Sequence, residues 1–178
     1  LDTPSACARL WRRELFLQSG IRYPNHLWYE DLYTTENLLL EAGSVVGLEL
    51  PLYRYLLRSG SIMRGRDPSR NGEILLALEQ VLSWYRRRGC FAQFQEELCG
   101  MTLQHISYAC YRVLRQDPQH PLLPQLLAYL TQNFPHYTKS KYYRCLTRSQ
   151  RIVLFFLRHR QYRLPALLFS WKEKGNSH

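Results

Sequence analysis

Two adjacent carboxylates, Glu30 and Asp31, close the stretch Arg22-Tyr-Pro-Asn-His-Leu-Trp-Tyr-Glu-Asp31. The other adjacent acid pair, Glu96-Glu97, falls inside a helical pattern. Trp28 and Tyr29 come just before the first pair, and an apolar helical pattern follows at Leu32, Leu38, Leu39 and Leu40. Asp31 therefore stands where a loop turns into a helix. A carboxylate there can accept backbone N–H bonds and meets the positive end of the helix dipole. Two roles fit this placement: a helix cap, or a general base held at the edge of a cleft. A base needs a carboxylate within reach of a hydroxyl and a pKa suited to proton transfer. Glu30 alongside would raise the proton affinity of Asp31 by like-charge repulsion.

Other chemistries find less support. Six histidines occur singly, with no pair at ligand spacing on one helix face, so no metal site is expected in this chain. The five cysteines, at 7, 90, 99, 110 and 145, show no Cys-x-x-Cys spacing and read as reduced, buried thiols of a cytosolic protein. The longest apolar run, Ile152 to Leu157, falls far short of the ~20 residues that span a bilayer. The 178 residues are 46% hydrophobic and 13% aromatic, enough to build a core. The first residue is Leu, and no signal-peptide pattern opens the chain, so a segment upstream is expected.

The formal charge of +10 is unevenly placed. No acid occurs between Asp117 and Glu173, while Lys139, Lys141, Arg144, Arg148, Arg151, Arg158, Arg160, Arg163 and Lys172 do. Leu, Phe, Tyr and Trp are interleaved with them. Solvated helix faces usually mix both signs. A one-sign face suits a polyanion, either anionic lipid or nucleic acid.

The pattern of elements places the acid pair. A helix is expected over residues 4–18, closed by Gly20, then an extended piece over 21–24 because Pro24 disfavours helix at Tyr23. Residues 31–42 form the helix after the acids, stopped by Gly43. Residues 45–48 and 52–57 read as strands, and 58–68 as a loop rich in Gly, Ser and Arg. Helical patterns then cover 74–85, 91 to before Pro118, 122–130, a short piece near Tyr142, 148–162 and 165–172. The expected class is mainly α with a small α/β portion, joined near residues 64–71.

Four stretches, in order, resemble the back half of a bacterial family 2 glycosyltransferase of the GT-A type. Ser5-Ala-Cys-Ala-Arg-Leu-Trp-Arg-Arg-Glu-Leu-Phe16 resembles the Lys-Leu-Tyr/Phe-Arg-Arg helix of that family, with Arg9 at the lysine. Gly20-Ile-Arg-Tyr-Pro followed by Trp-Tyr-Glu-Asp31 resembles its Gly-Ile-Phe-Pro…Glu-Asp segment. Pro51-Leu-Tyr-Arg-Tyr followed by Arg58-Ser-Gly-Ser-Ile-Met63 resembles its Pro-Leu-Tyr-x-Tyr-Arg-x-x-x-Gly-Ser-Ile segment. Asn133-Phe-Pro-His-Tyr-Thr-Lys-Ser-Lys-Tyr142 resembles a Phe-Pro-x-x-x-x-Asn-Lys-Tyr stretch of helical tails, with Ser140 in place of Asn.

The resemblance implies residues 1–65 as the acceptor side of a GT-A, Rossmann-like catalytic domain and 66–178 as a helical, basic tail. It implies an inverting transferase with Asp31 as general base, Glu30 beside it, and Arg58, Gly60, Ser61, Arg9 and Trp28 in substrate binding. Arg9 and Arg12 have solvation of a helix as their plainer role. The donor would be a nucleotide sugar, and the acceptor a polysaccharide, lipopolysaccharide or cell-wall precursor. The family's Mg²⁺ or Mn²⁺ sits on an Asp-x-Asp element. The four Asp here (2, 31, 67 and 117) do not form one, so the metal and nucleotide would be held by a missing N-terminal half. The isolated chain is expected to be inactive. The implied location is cytoplasmic, peripheral to the inner face of the cell membrane through the basic helices, with no nucleic acid as partner. The rival reading is a nonenzymatic basic helical module binding a membrane surface or nucleic acid.

Overall fold

The computed structural model describes residues 5–54, 56 and 68–164. Among these residues the chain forms six α-helices and no strand: α1 Arg13–Ser19, α2 Glu30–Glu41, α3 Glu73–Arg87, α4 Gln95–Gln116, α5 Leu122–Asn133 and α6 Arg148–Arg158. Short 3-10 turns at Ser69–Gly72, Tyr137–Lys139 and Lys141–Tyr143 join them. The helix expected over 165–172, and residues 57–67 with the expected boundary at 65, lie outside the described residues.

Helix α4 is the axis. Leu98, Met101, Leu103, Ile106, Ala109, Cys110, Val113 and Leu114 are all buried, and α3, α5 and α6 pack around it. Helix α3 contributes the stripe Ile74, Ala77, Leu78, Val81, Leu82 and Tyr85, at the i, i+3, i+4 spacing that keeps one side apolar. Helix α5 adds Leu122, Leu123, Leu126 and Leu130, and α6 adds Val153, Leu154 and Leu157. Helix α2 lies on the outside of α3, and its Leu32 joins the same core.

Several ends follow from local chemistry. Gly20 closes α1 at φ 70°, a left-handed position that costs glycine nothing. Thr147 and Gln150 form a reciprocal capping box that starts α6. That helix stops at Arg158, earlier than the sequence pattern suggests. Arg160 turns left-handed (φ 56°), and the Gln161 N–H donates back to the Phe156 carbonyl at 2.8 Å. This is a Schellman-type ending made without glycine, so its usual sequence mark is missing.

Two expectations are corrected. The first helix covers only residues 13–19, because Ala8 adopts a positive φ and Leu10 faces solvent. A short helix with no buried stripe has little to sustain it. The strands expected within 45–57 do not form in the described part. Residues 44–54 are irregular, and Val45, Val46, Leu48, Leu50, Leu52 and Tyr53 are exposed, Val46 by 81% and Leu52 by 74%. Apolar alternation makes a strand only when a neighbouring strand takes its hydrogen bonds, and none is present among the described residues. The all-helical architecture therefore holds no Rossmann-like portion in what is described.

Candidate active site

The loop that delivers the acid pair is pinned from several sides. Tyr29, the residue before α2, has φ 67°, and His26 has φ 59°. Left-handed non-glycine residues persist when their surroundings over-determine them. Here the surroundings come from the start of α3. The Trp28 N–H donates to Glu73 Oε2 at 2.5 Å, and the Tyr29 hydroxyl donates to Asn71 Oδ1 at 3.1 Å. Asn71 is fully buried and is itself held by the Pro68 carbonyl. The Arg70 guanidinium donates to Glu73 and to the His26 carbonyl, and lies 4.6 Å from the Trp28 ring centroid. At the far end of α2, Glu41 accepts from Trp84 Nε1 at 2.8 Å and from Arg88 at 2.6 and 2.8 Å. Both ends of α2 are thereby tied to the 3-10 turn and helix that follow in the chain.

Asp31 lies in the first turn of α2, one residue inside its start, and is half-buried while Glu30 is exposed. Its Oδ1 accepts from the Leu32 N–H at 2.7 Å. Burial pushes its pKa above the usual aspartate value; the Leu32 hydrogen bond opposes this, and the Glu30 charge adds to it in a smaller measure. The repulsion expected from the adjacent acid is therefore real but secondary to desolvation.

An unexpected residue, Tyr23, links this place to the expected Arg9. The Tyr23 phenol lies close enough to both Asp31 and Arg9 to feel their charges, with Thr35 and Trp11 against it. Burial raises the Tyr23 pKa, opposed by Thr35. Neither Thr35 Oγ1 nor Trp11 Nε1 completes a well-shaped hydrogen bond, although both are buried. Arg9 is anchored through Nε to the Ser5 carbonyl at 3.1 Å. Buried polar groups without full partners are uncommon, and among the described residues Thr34, Asn37, Thr102 and Arg151 also have one. Tyr23 was not among the expected site residues. Its sequence signal, an aromatic residue before Pro24, reads only as an extended turn.

Trp28 is placed differently from a free binding side chain, since its backbone is tied to Glu73 and Arg70 covers its ring. Arg58, Gly60 and Ser61 lie outside the described residues. An open groove of about 440 Å³ runs nearby between Pro24, Asn25, Leu27, Tyr33 and the Leu76, Glu79, Gln80, Ser83 and Arg87 face of α3. Asp31 does not line it. Among the described residues no group of three His, Cys, Asp or Glu side chains is placed to hold a metal ion. No described helix is long and apolar enough to cross a membrane. Compared with known proteins, the chain matches no protein-family model, no curated protein and no solved structure.

Proposed function

We propose that this chain is the acceptor-side portion of an inverting glycosyltransferase, with Asp31 as its general base. The observation that carries the reading is Asp31 itself. It is a half-buried carboxylate with a raised pKa, on a helix start that Glu73, Asn71 and Arg70 hold in a strained left-handed entry. A carboxylate serving only as a cap gains from ionisation, and its pKa falls; a base benefits from the opposite shift.

In this reaction the acceptor hydroxyl oxygen attacks the anomeric carbon of a nucleotide sugar from the face opposite the diphosphate. Asp31 takes the hydroxyl proton, the bond to the diphosphate oxygen breaks, and that oxygen leaves with the electron pair. The configuration at the carbon inverts. Tyr23, near Asp31, and Arg9, near Tyr23, suit an acceptor rich in hydroxyls or bearing an anion. Arg58, Ser61 and the Gly60 backbone are assigned to the leaving diphosphate, where cations and N–H donors stabilise developing charge. A divalent cation would supply further neutralisation there. The described residues do not offer its ligands, so the reading assigns them to a nucleotide-binding portion outside this chain. The exposed apolar segment over residues 45–56 suits the docking of such a portion.

The test is Asp31→Asn in the chain joined to its nucleotide-binding portion. Turnover should fall by about 10²–10⁴, the usual contribution of a general base, with donor binding retained. A wild-type rate in that variant removes the assignment. The DNA upstream of Leu1 should encode a strand-loop-helix start and an Asp-x-Asp element.

A further inference from the structure

We propose that the outer face of α6 docks on a bilayer surface carrying anionic lipid. The helix turns Val153, Leu154 and Leu157 inward. On the opposite side Arg148, Ile152, Phe155 and His159 follow one another at i, i+4, i+7 and i+11, one line along a helix. All four are exposed, Ile152 by 38% and Phe155 by 55%. The Phe155 ring sits 5.5 Å from Phe156 and 4.6 Å from His159, centroid to centroid, so an aromatic ridge projects into solvent.

Arginines frame that ridge. Half-buried Arg151 and exposed Arg158, seven residues apart, run along one side of it, and exposed Arg144 and Arg160 stand just before and just after the helix. Among the described residues no carboxylate pairs with any of these five arginines. The nearest acids in sequence are Asp117 and Glu173. A helix with an apolar ridge, long basic side chains beside it and no acid is built to lie in the headgroup region. Its rings and aliphatic tips enter the acyl boundary while the guanidinium groups stay with lipid phosphates. A nucleic acid would satisfy the arginines equally well. It offers nothing comparable to Ile152, however, and the face is a convex helix rather than a groove that tracks a strand. The inference is independent of the transferase chemistry.

Co-sedimentation of the full chain with vesicles tests it. The chain should bind vesicles of equal parts phosphatidylcholine and phosphatidylglycerol, and release as salt is raised. It should not bind phosphatidylcholine alone. The double variant Arg148→Gln, Arg158→Gln should bind about thirtyfold more weakly, each basic residue at an anionic surface contributing roughly a factor of five. Phe155→Ser should weaken binding by about tenfold, as expected for partial burial of a ring. Both variants change exposed side chains, and circular dichroism should show unchanged helix. Equal binding to neutral vesicles, or none to anionic ones, overturns the proposal. So does binding that survives both variants but is lost in Val46→Ser, Leu52→Ser, which moves the contact to residues 45–56. Binding to duplex or single-stranded oligonucleotides that displaces vesicles, and that Phe155→Ser leaves unchanged, assigns the face to nucleic acid instead.

Discussion

At the scale of single residues, Asp31 offers a measurement that separates a cap from a base. Its carboxyl is raised by burial, so the folded state holds its proton more tightly than the unfolded chain does. Such a group contributes stability at acid pH, below the ordinary aspartate value, and that contribution is lost as pH rises through the raised folded value. At neutral pH the buried charge is a net cost. Asp31→Asn removes that cost and keeps an oxygen that can accept from the Leu32 N–H. The variant should therefore be more stable than the parent in urea unfolding at pH 7, and the gain should close as pH falls below the aspartate range. A capping carboxylate predicts the reverse: loss of stability of about 1 kcal/mol at neutral pH.

At the scale of elements, α4 and the Lys141–Tyr143 turn meet closely at Gly100. A Cβ placed on Gly100 would meet the Tyr142 ring at 2.5 and 2.6 Å and its Cβ at 2.9 Å. Because the Tyr142 Cβ is among these atoms, rotating the ring alone gives no relief, and the turn must shift. That turn is also fastened to α4 by Ser140 Oγ donating to Glu96 at 2.9 Å and Lys141 Nζ donating to Glu97 at 2.9 Å. The acid pair Glu96-Glu97 is thus structural, tying the tail to the central helix. Gly100→Ala would normally strengthen a helix by about 1 kcal/mol. Here overpacking should outweigh that gain and leave the protein about 1–3 kcal/mol less stable. Tyr142→Ala in the same chain should recover part of the loss, read as non-additivity in a double-mutant cycle.

At the scale of the whole molecule, the helical core and the segment over residues 45–56 obey different rules. The core around α4 is closed, with Leu32, Leu78, Leu103, Leu126 and Leu154 fully or almost fully buried. The segment displays Val45, Val46, Leu48, Leu50 and Leu52 to solvent, with no strand beside it among the described residues. Residues already in water contribute little to folding, so Val46→Ser with Leu52→Ser should change stability by no more than about 0.5 kcal/mol. The same pair should reduce self-association in sedimentation velocity, since exposed apolar side chains of this density promote contacts between molecules. A large loss of thermal stability would instead place these side chains in a core of this chain.

The periodicity of α3 to α6 was legible in the amino-acid order alone, since each helix needs only an apolar stripe and a stop to declare itself. Gly89 after α3 and the Thr147/Gln150 box before α6 mark two of those ends by local chemistry. The Glu30-Asp31 pair at a loop-to-helix transition was equally legible, and the loop does turn into α2 there. Three matters needed the tertiary structure. A strand exists only by pairing, so the β-like order of residues 45–57 could not announce its lack of a neighbour. The direction of the Asp31 shift was expected from Glu30, but its main cause, burial, depends on packing that the adjacent residues do not reveal. The approach of Tyr23 to both Arg9 and Asp31 is tertiary, and the pinning of the loop before α2 by Asn71 and Glu73, from more than 40 residues away, follows from α2 lying against α3. Sequence spacing reports what sits on one face of one helix; which faces meet is settled by how all the stripes are buried at once.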